Sequence, residues 1–310
     1  RRPLLEIGSL SMLGLSLGDI FRLQAAESST AKPLLKSDTS VIFVWLPGGP
    51  PHMETYDLKP DAPKEYRGIF RPIKTNVPGI EISELFPRQA KIADKFTIVR
   101  SCHHTFADHG GGHKRFMTGR LPAEPTGFVN DAPAVTSYVT KILNERHTGP
   151  KGMPPCVLGV DGGRAQIDVF SLGAAWLGSV NTPFIVGGDP ASPSFKVQNL
   201  GLTPDMETRL DDRLHLLQGM DRLRRDADRS GLMDAMDQYS QRAFDMLTSE
   251  PVRVAFDLTR EPQAVRERYG MNAYGQRGLM ARRLVEAGCR FVTMVWEHPG
   301  TPMPKYGSYN

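Results

Sequence analysis

Ile98-Val-Arg-Ser-Cys-His-His-Thr-Phe-Ala-Asp-His-Gly-Gly-Gly-His-Lys-Arg-Phe-Met-Thr-Gly-Arg120 carries four of the chain's eight histidines, His103, His104, His109 and His113. It also holds Asp108 and three consecutive glycines. The apolar run Phe96–Val99 ahead of the histidines reads as a short buried strand, and Lys114–Thr118 as the opening turns of a helix. Gly110–Gly112 free the backbone between them to approach a ligand closely. A helix beginning there points free N–H groups and its positive dipole end at that ligand. Strand, polar loop and helix N-terminus in this order match the carboxyl-end sites of open α/β folds. Imidazole and carboxylate are the ligand types of a divalent metal. A single histidine in such a loop reads most simply as hydrogen-bonded to backbone; four histidines and an aspartate within eleven residues point to a site.

Upstream, Val41-Ile-Phe-Val-Trp-Leu46 is a continuous apolar run, as expected for a central strand covered on both faces. It stops at Pro47-Gly-Gly-Pro-Pro51, and His52-Met-Glu-Thr-Tyr-Asp57 follows. His52, Glu54 and Asp57, delivered just past a strand end, form a second set of ligand candidates. Ordinary turn chemistry explains Asp and His there equally well. Residues 58–78 are Pro- and Lys-rich and lack periodicity, which predicts a surface excursion. The spacing in Glu81–Ala93 predicts an amphipathic helix opened by Ser83 and its acids.

Downstream, a helix is expected over Asn130–Glu145, capped by Asn130 or Asp131 with Pro133 in its first turn. Strands are expected at Met153–Val160, Pro183–Gly187 and Arg290–Trp296, with a helix over Ala273–Ala287 stopped by Gly288. Leucines 210, 214, 217 and 223 with Met220 predict a helical hairpin over 204–248, a cap or flank whose methionines serve packing. Alternating strands and helices make an α/β fold. A central-type strand followed by fourteen loop residues and no covering helix reads as a fragment, incomplete at the C-terminus.

The composition bounds function. With 40% hydrophobic and 23% charged residues, 310 residues suit one large soluble core, with a small appendage at most. A net charge of +4 from interleaved Lys, Arg, Asp and Glu argues against a nucleic-acid partner. Arg222–Arg225, flanked by Asp221, Asp226 and Asp228, reads as a solvated helix face. Three cysteines at irregular spacing (Cys102, Cys156, Cys289) exclude a disulfide framework and a cysteine-based zinc knuckle. No run of eighteen apolar residues occurs, so no transmembrane segment is expected. Arg1-Arg-Pro-Leu-Leu5, a Gly/Ser-diluted apolar run, Arg22 and then Ala25-Ala26 resemble a twin-arginine export signal over residues 1–26. An amphipathic helix is the plainer alternative. Residues 27–40 read as a polar linker, leaving 41–310 for the folded domain.

Several stretches together resemble one bacterial family, known as domain of unknown function 1501. They are Trp45-Leu-Pro-Gly-Gly-Pro-Pro-His-Met-Glu-Thr-Tyr-Asp-Leu-Lys-Pro60, Asn76-Val-Pro-Gly79, Asp108-His-Gly-Gly-Gly-His-Lys-Arg-Phe-Met-Thr-Gly-Arg120 and Ala281-Arg-Arg-Leu-Val-Glu-Ala-Gly288. The resemblance implies a planctomycete-type exported protein in the alkaline phosphatase and sulfatase superfamily. It implies a three-layer α/β/α sandwich with metal ligands at the carboxyl ends of strands. Family members continue with Trp-Asp-(Ser/Thr)-His, Gly-Glu-Phe-Gly-Arg and Gly-Arg-Asp-His segments, so half of such a site is encoded here. Setting Phe116-Met-Thr-Gly119 against the end of the sulfatase nucleophile motif puts His109 at the approximate nucleophile position and His113 at the motif's Arg. The superfamily's strand-one Asp is replaced by Glu54 or shifted to Asp57.

The expectation is therefore an exported, periplasmic or cell-surface hydrolase of phosphate or sulfate esters, acting on a small molecule or a polymer. His109, His113, Glu54 and Asp57 would hold zinc, manganese or calcium, and Asp108, His52 and His104 would orient them. His109 and His113 share a face if the helix starts by His109; a glycine-rich loop would serve equally. An imidazole where a hydroxyl or thiol nucleophile belongs speaks against covalent chemistry. The alternative is a non-catalytic exported binding protein that keeps the fold, and a third reading makes the histidines a purely structural cluster.

Overall fold

The computed structural model describes residues 39–46, 51–106, 108–124, 126–127, 129–146, 149–160, 172–197, 200 and 243–296. They lie almost wholly in the larger of the chain's two units, Ile42–Asn310. The expected export signal, most of the linker, positions 204–242 of the helical hairpin and the tail after Trp296 lie outside the described residues.

The strands are β1 (Val41–Trp45), β2 (Pro72–Lys74), β3 (Glu81–Ser83), β4 (Cys156–Val160), β5 (Phe184–Gly187) and β6 (Phe291–Val295). The α-helices are α1 (Pro87–Ala90), α2 (His109–Thr118), α3 (Val135–Arg146), α4 (Glu250–Phe256), α5 (Gln263–Tyr269) and α6 (Ala273–Glu286). A four-stranded sheet has the order β1-β6-β4-β5, and β4 runs parallel to both β5 and β6. Cys156 faces Phe291 across one ladder and Val157 faces Phe184 across the other. Both β4 and β6 are buried at every position, as continuous apolar runs inside a parallel sheet must be.

Side-chain alternation sends these strands into two cores. Val157, Val186, Val292 and Met294 pack with Val252, Ala255 and Phe256 of α4 and Leu279, Met280, Ala281 and Leu284 of α6. Leu158, Val160 and Val295 pack instead with Trp45, Ala134 and Met117 of α2. Two of the three cysteines, Cys156 and Cys289, lie buried, and burial pushes each thiol up to about 12.

Helix α6 organises one side. Asn272 caps it by accepting from Gly275 N at 2.9 Å. The α5–α6 corner comes so close that a Cβ on Gly275 would lie 2.2 Å from Tyr269 O. The fully buried Gln276 closes that corner, donating to Arg266 O and Gly270 O at 2.9 Å and accepting from Arg266 Nε at 3.1 Å. One residue on, Arg277 is 1% exposed. Its guanidinium donates to Val295 O at 2.9 Å, Gly188 O at 3.0 Å and Val160 O at 3.4 Å. It therefore gathers the carboxyl ends of β6, β5 and β4. Gly159 leaves the room: a Cβ there would meet Arg277 Cδ at 3.2 Å.

Several expected elements differ. The run 41–46 forms β1, but β1 ends the sheet order among the described residues, and Val41, Ile42 and Val44 are 41%, 42% and 38% exposed. Phe96–Val99 is not a strand: among the described residues none pairs with its backbone in a ladder. Residues 81–93 do not form one helix: Glu81–Ser83 pair antiparallel with Pro72–Lys74, and Pro87 starts a separate short turn of helix. The same hairpin gives residues 72–74 order where only surface chain was expected. Helix α3 begins at Val135 rather than Asn130, past Pro133, with Ala134 O accepting from Tyr138 N.

Replacing Arg277 by Met keeps the volume but leaves strand-end carbonyls without their donor. A loss of about 3–5 kcal/mol in urea unfolding is expected, and a loss below about 1 kcal/mol would show that the strand ends do not depend on it. A second expectation concerns Glu261, which bridges Arg282 at 2.8 Å and Arg283. The Arg283 hydrogen bond, and then Arg282, hold its carboxyl below the ordinary 4.5. Its contribution is complete above that value and is lost as pH falls through the lowered folded-state value. Glu261→Gln should lower stability at neutral pH and flatten the acid limb below 4.5; an acid limb as steep as the native one would refute this.

Candidate functional site

The His-rich segment folds as α2 because Asp108 is an effective N-cap. Its backbone is extended, and its Oδ1 accepts from Gly110 N at 2.8 Å and Gly111 N at 3.2 Å. The helix ends at Gly119, whose left-handed φ of 68° returns its N–H to Arg115 O. Since α2 starts at His109, the residues four apart, His109 and His113, share a face.

Three contacts seat α2. Toward the loop that follows it, a Cβ on Gly110 would fall 2.0 Å from Gly127 O, so only glycine lets the two backbones meet. Lys114, 3% exposed, reaches the same loop and donates to Glu124 O at 2.8 Å and Thr126 O at 2.9 Å. Toward the sheet, Phe116 stacks on Phe43 at 6.1 Å between ring centroids, and His113 meets Trp45 edge-on at 4.8 Å. Trp45 O in turn accepts from Trp296 N at 2.8 Å, just past the end of β6.

His104 folds back over the helix, its Cε1 3.0 Å from where a Gly112 Cβ would stand. Its Nδ1 accepts from Phe106 N at 3.2 Å, which leaves the ring proton on Nε2. The result is a groove of about 510 Å³ at the carboxyl end of β1, lined by Trp45, Leu46, His104, Asp108, His109 and His113.

The structure thus brings together four of the expected residues: His104, Asp108, His109 and His113. The other three do not line this groove. Glu54 uses both carboxylate oxygens on the amides of Ile69 (2.9 and 3.1 Å) and Phe70 (3.3 Å), closing a turn at Gly68. Asp57 accepts from His52 Nδ1 at 3.2 Å and has Lys59 Nζ at 3.6 Å and Arg100 Nε at 3.9 Å. Among the described residues, no group of three or more His, Cys, Asp or Glu is placed to hold a metal. His109 and His113 offer two imidazoles in the i, i+4 arrangement that suits part of a divalent coordination shell. The helix amides are less open than expected, since Asp108 already occupies two of them.

Three residues with work to do were not singled out from the sequence: Lys114, Arg100 and Arg277. Arg277 carried a readable signal, lying four residues from both Ala273 and Ala281 on the apolar face of α6. Lys114 had none, because its acceptors are backbone carbonyls of a loop.

A parallel sheet with helices packed against it, and a histidine-lined groove at one strand's carboxyl end, define a mixed α/β protein. The model of one family, Protein of unknown function (DUF1501), matches residues 38–298, and the chain belongs to that family. Comparison with curated proteins and with solved structures returns no match. No helix among the described residues is long and apolar enough to cross a membrane.

Gly110→Ala tests the seating of α2. The added methyl overlaps the Gly127 carbonyl, so a loss of about 2–3 kcal/mol in urea unfolding is expected. A change within about 0.5 kcal/mol would show that the loop yields freely.

Proposed function

We propose that this chain belongs to an exported, metal-dependent hydrolase of phosphate or sulfate esters, built on an alkaline phosphatase-like α/β/α sandwich. The observation that carries the reading is the groove where α2 presents His109 and His113 beside His104 at the carboxyl end of β1. Two cores on opposite sides of a parallel sheet support the sandwich.

His109 and His113 would hold the ion, zinc, manganese or calcium. A divalent ion there supplies Lewis acidity toward an ester's phosphoryl or sulfuryl oxygen. Asp108 fixes the start of α2, and with it the direction of both imidazoles, through its bonds to Gly110 and Gly111. Trp45 packs against the His113 ring and shields it from bulk water. No hydroxyl or thiol stands at position 109, so in this reading water would be the nucleophile, its oxygen bonding to phosphorus or sulfur as the bond to the ester's alcohol breaks and the alcohol leaves with a proton. An address in the periplasm or at the cell surface follows from the twin-arginine-like residues 1–26.

A second reading, a non-catalytic exported binding protein on the same fold, is favoured by the commitments of Glu54 to backbone and of Asp57 to cations. Elemental analysis of full-length protein and of its His109→Ala/His113→Ala variant separates the two. One or two equivalents of metal, lost in the variant and accompanied by turnover of aryl phosphate or aryl sulfate, are expected. Metal without turnover would favour the binding protein, and no metal in either protein would end the hydrolase reading.

A further inference from the structure

Away from α2, Asp57 stands at the wall of a cavity of about 970 Å³. Lys59 and Arg100 line the same cavity, and Asp57 is the single acid among its described lining residues. Two cations, both half-exposed, therefore face one carboxylate, leaving one positive charge over. All three residues also line a neighbouring cavity of about 730 Å³, so the charge sits on a partition between two hollows.

Arg100 is anchored by backbone carbonyls. Arg100 donates through Nε to Tyr56 O at 2.9 Å and through Nη2 to Glu81 O at 3.3 Å, which fixes its guanidinium beside Asp57. Lys59 has a left-handed φ of 51°, a backbone state that costs free energy in any residue but glycine and is characteristic of functional positions. Beside the cations the cavity is ring-lined: Tyr56 stacks on Phe86 at 5.2 Å and meets Phe96 edge-on at 6.5 Å, and Tyr56 and Phe96 both face the cavity.

We infer that this cavity binds an oxyanion carried on a ring-shaped apolar body, the anion between Lys59 and Arg100 and the ring on Tyr56 and Phe96. Asp57 acts as the positioning residue that draws both cations together. The site is separate from the α2 groove and does not rest on a metal there. Charge-assisted bonds from two cations to one anion suit phosphate, sulfate or carboxylate equally.

The test uses phenylphosphonate, which has no ester bond for the proposed hydrolase to cleave, and isothermal titration calorimetry on metal-stripped protein, wild type, Lys59→Gly and Lys59→Arg. Glycine removes the cation and accepts the left-handed backbone, so Lys59→Gly should keep or raise the melting temperature. It should bind about tenfold or more weakly, and Lys59→Arg should restore the affinity. The His109→Ala/His113→Ala protein should bind as the wild type does. Absence of saturable binding to wild type, or equal affinity in Lys59→Gly, would overturn the inference. So would binding lost in the histidine variant but kept in Lys59→Gly, which would put the anion in the α2 groove.

Discussion

The carboxyl ends of three of the sheet's four strands are gathered by one guanidinium, that of Arg277. Parallel strands end in carbonyls that the ladder leaves unused, and burying them without donors costs free energy at each. A planar cation with five N–H groups answers several such carbonyls at once. Arg277 takes the last carbonyls of β4 and β6 and the one just after β5. The strand ends are thereby brought level, and a chain of contacts runs from them to the groove. Val295 is bound by Arg277, Trp296 donates to Trp45 O, and Trp45 packs on the His113 ring. A run of contacts thus links one imidazole to a residue more than 160 positions away in sequence.

On the other side of the groove the constraint is space. The glycines at 110 and 112 answer different neighbours, a loop carbonyl for one and the His104 ring for the other. Lys114 then ties α2 to the same loop with two short bonds from a buried ammonium. A run that reads as flexible in the sequence is, in the fold, a stretch of helix without room for side chains. Flexibility and close packing call for the same residue.

That ambiguity marks how far the sequence could be read. Strands β4, β5 and β6 and helix α6 were legible because they lie in the core, where burial dictates an apolar run or a 3.6-residue period. The start of α2 at His109 was legible as one of two possibilities, and Asp108 as a cap decided it. Phe96–Val99 has the composition of a strand, yet pairing depends on a partner, which composition does not encode. Residues 72–74 and 81–83 were missed for the converse reason: a three-residue hairpin is too short to show a period. Within the site, the grouping of His104, His109 and His113 was local in sequence and therefore visible. The separation of Glu54 and Asp57 from them was set by tertiary contacts, to the amides of Ile69 and Phe70 and to Arg100, forty-three residues beyond Asp57.

The electrostatics of the two hollows give that separation a meaning. Among the described residues, the α2 groove has one carboxylate, Asp108, three imidazoles and no Lys or Arg in its lining. Neutral imidazoles beside a carboxylate can take up a divalent cation without opposing charge nearby. The larger cavity has the reverse balance, with Lys59 and Arg100 both within 4 Å of the one acid. A divalent ion placed on Asp57 would face two like charges at close range, and both would repel it, through partly screened fields because their side chains are half-exposed. An oxyanion there would instead complete the charge. Carboxylates that look alike in the sequence thus have different neighbours, and the lysine and arginine beside Asp57 decide which ligand it can serve.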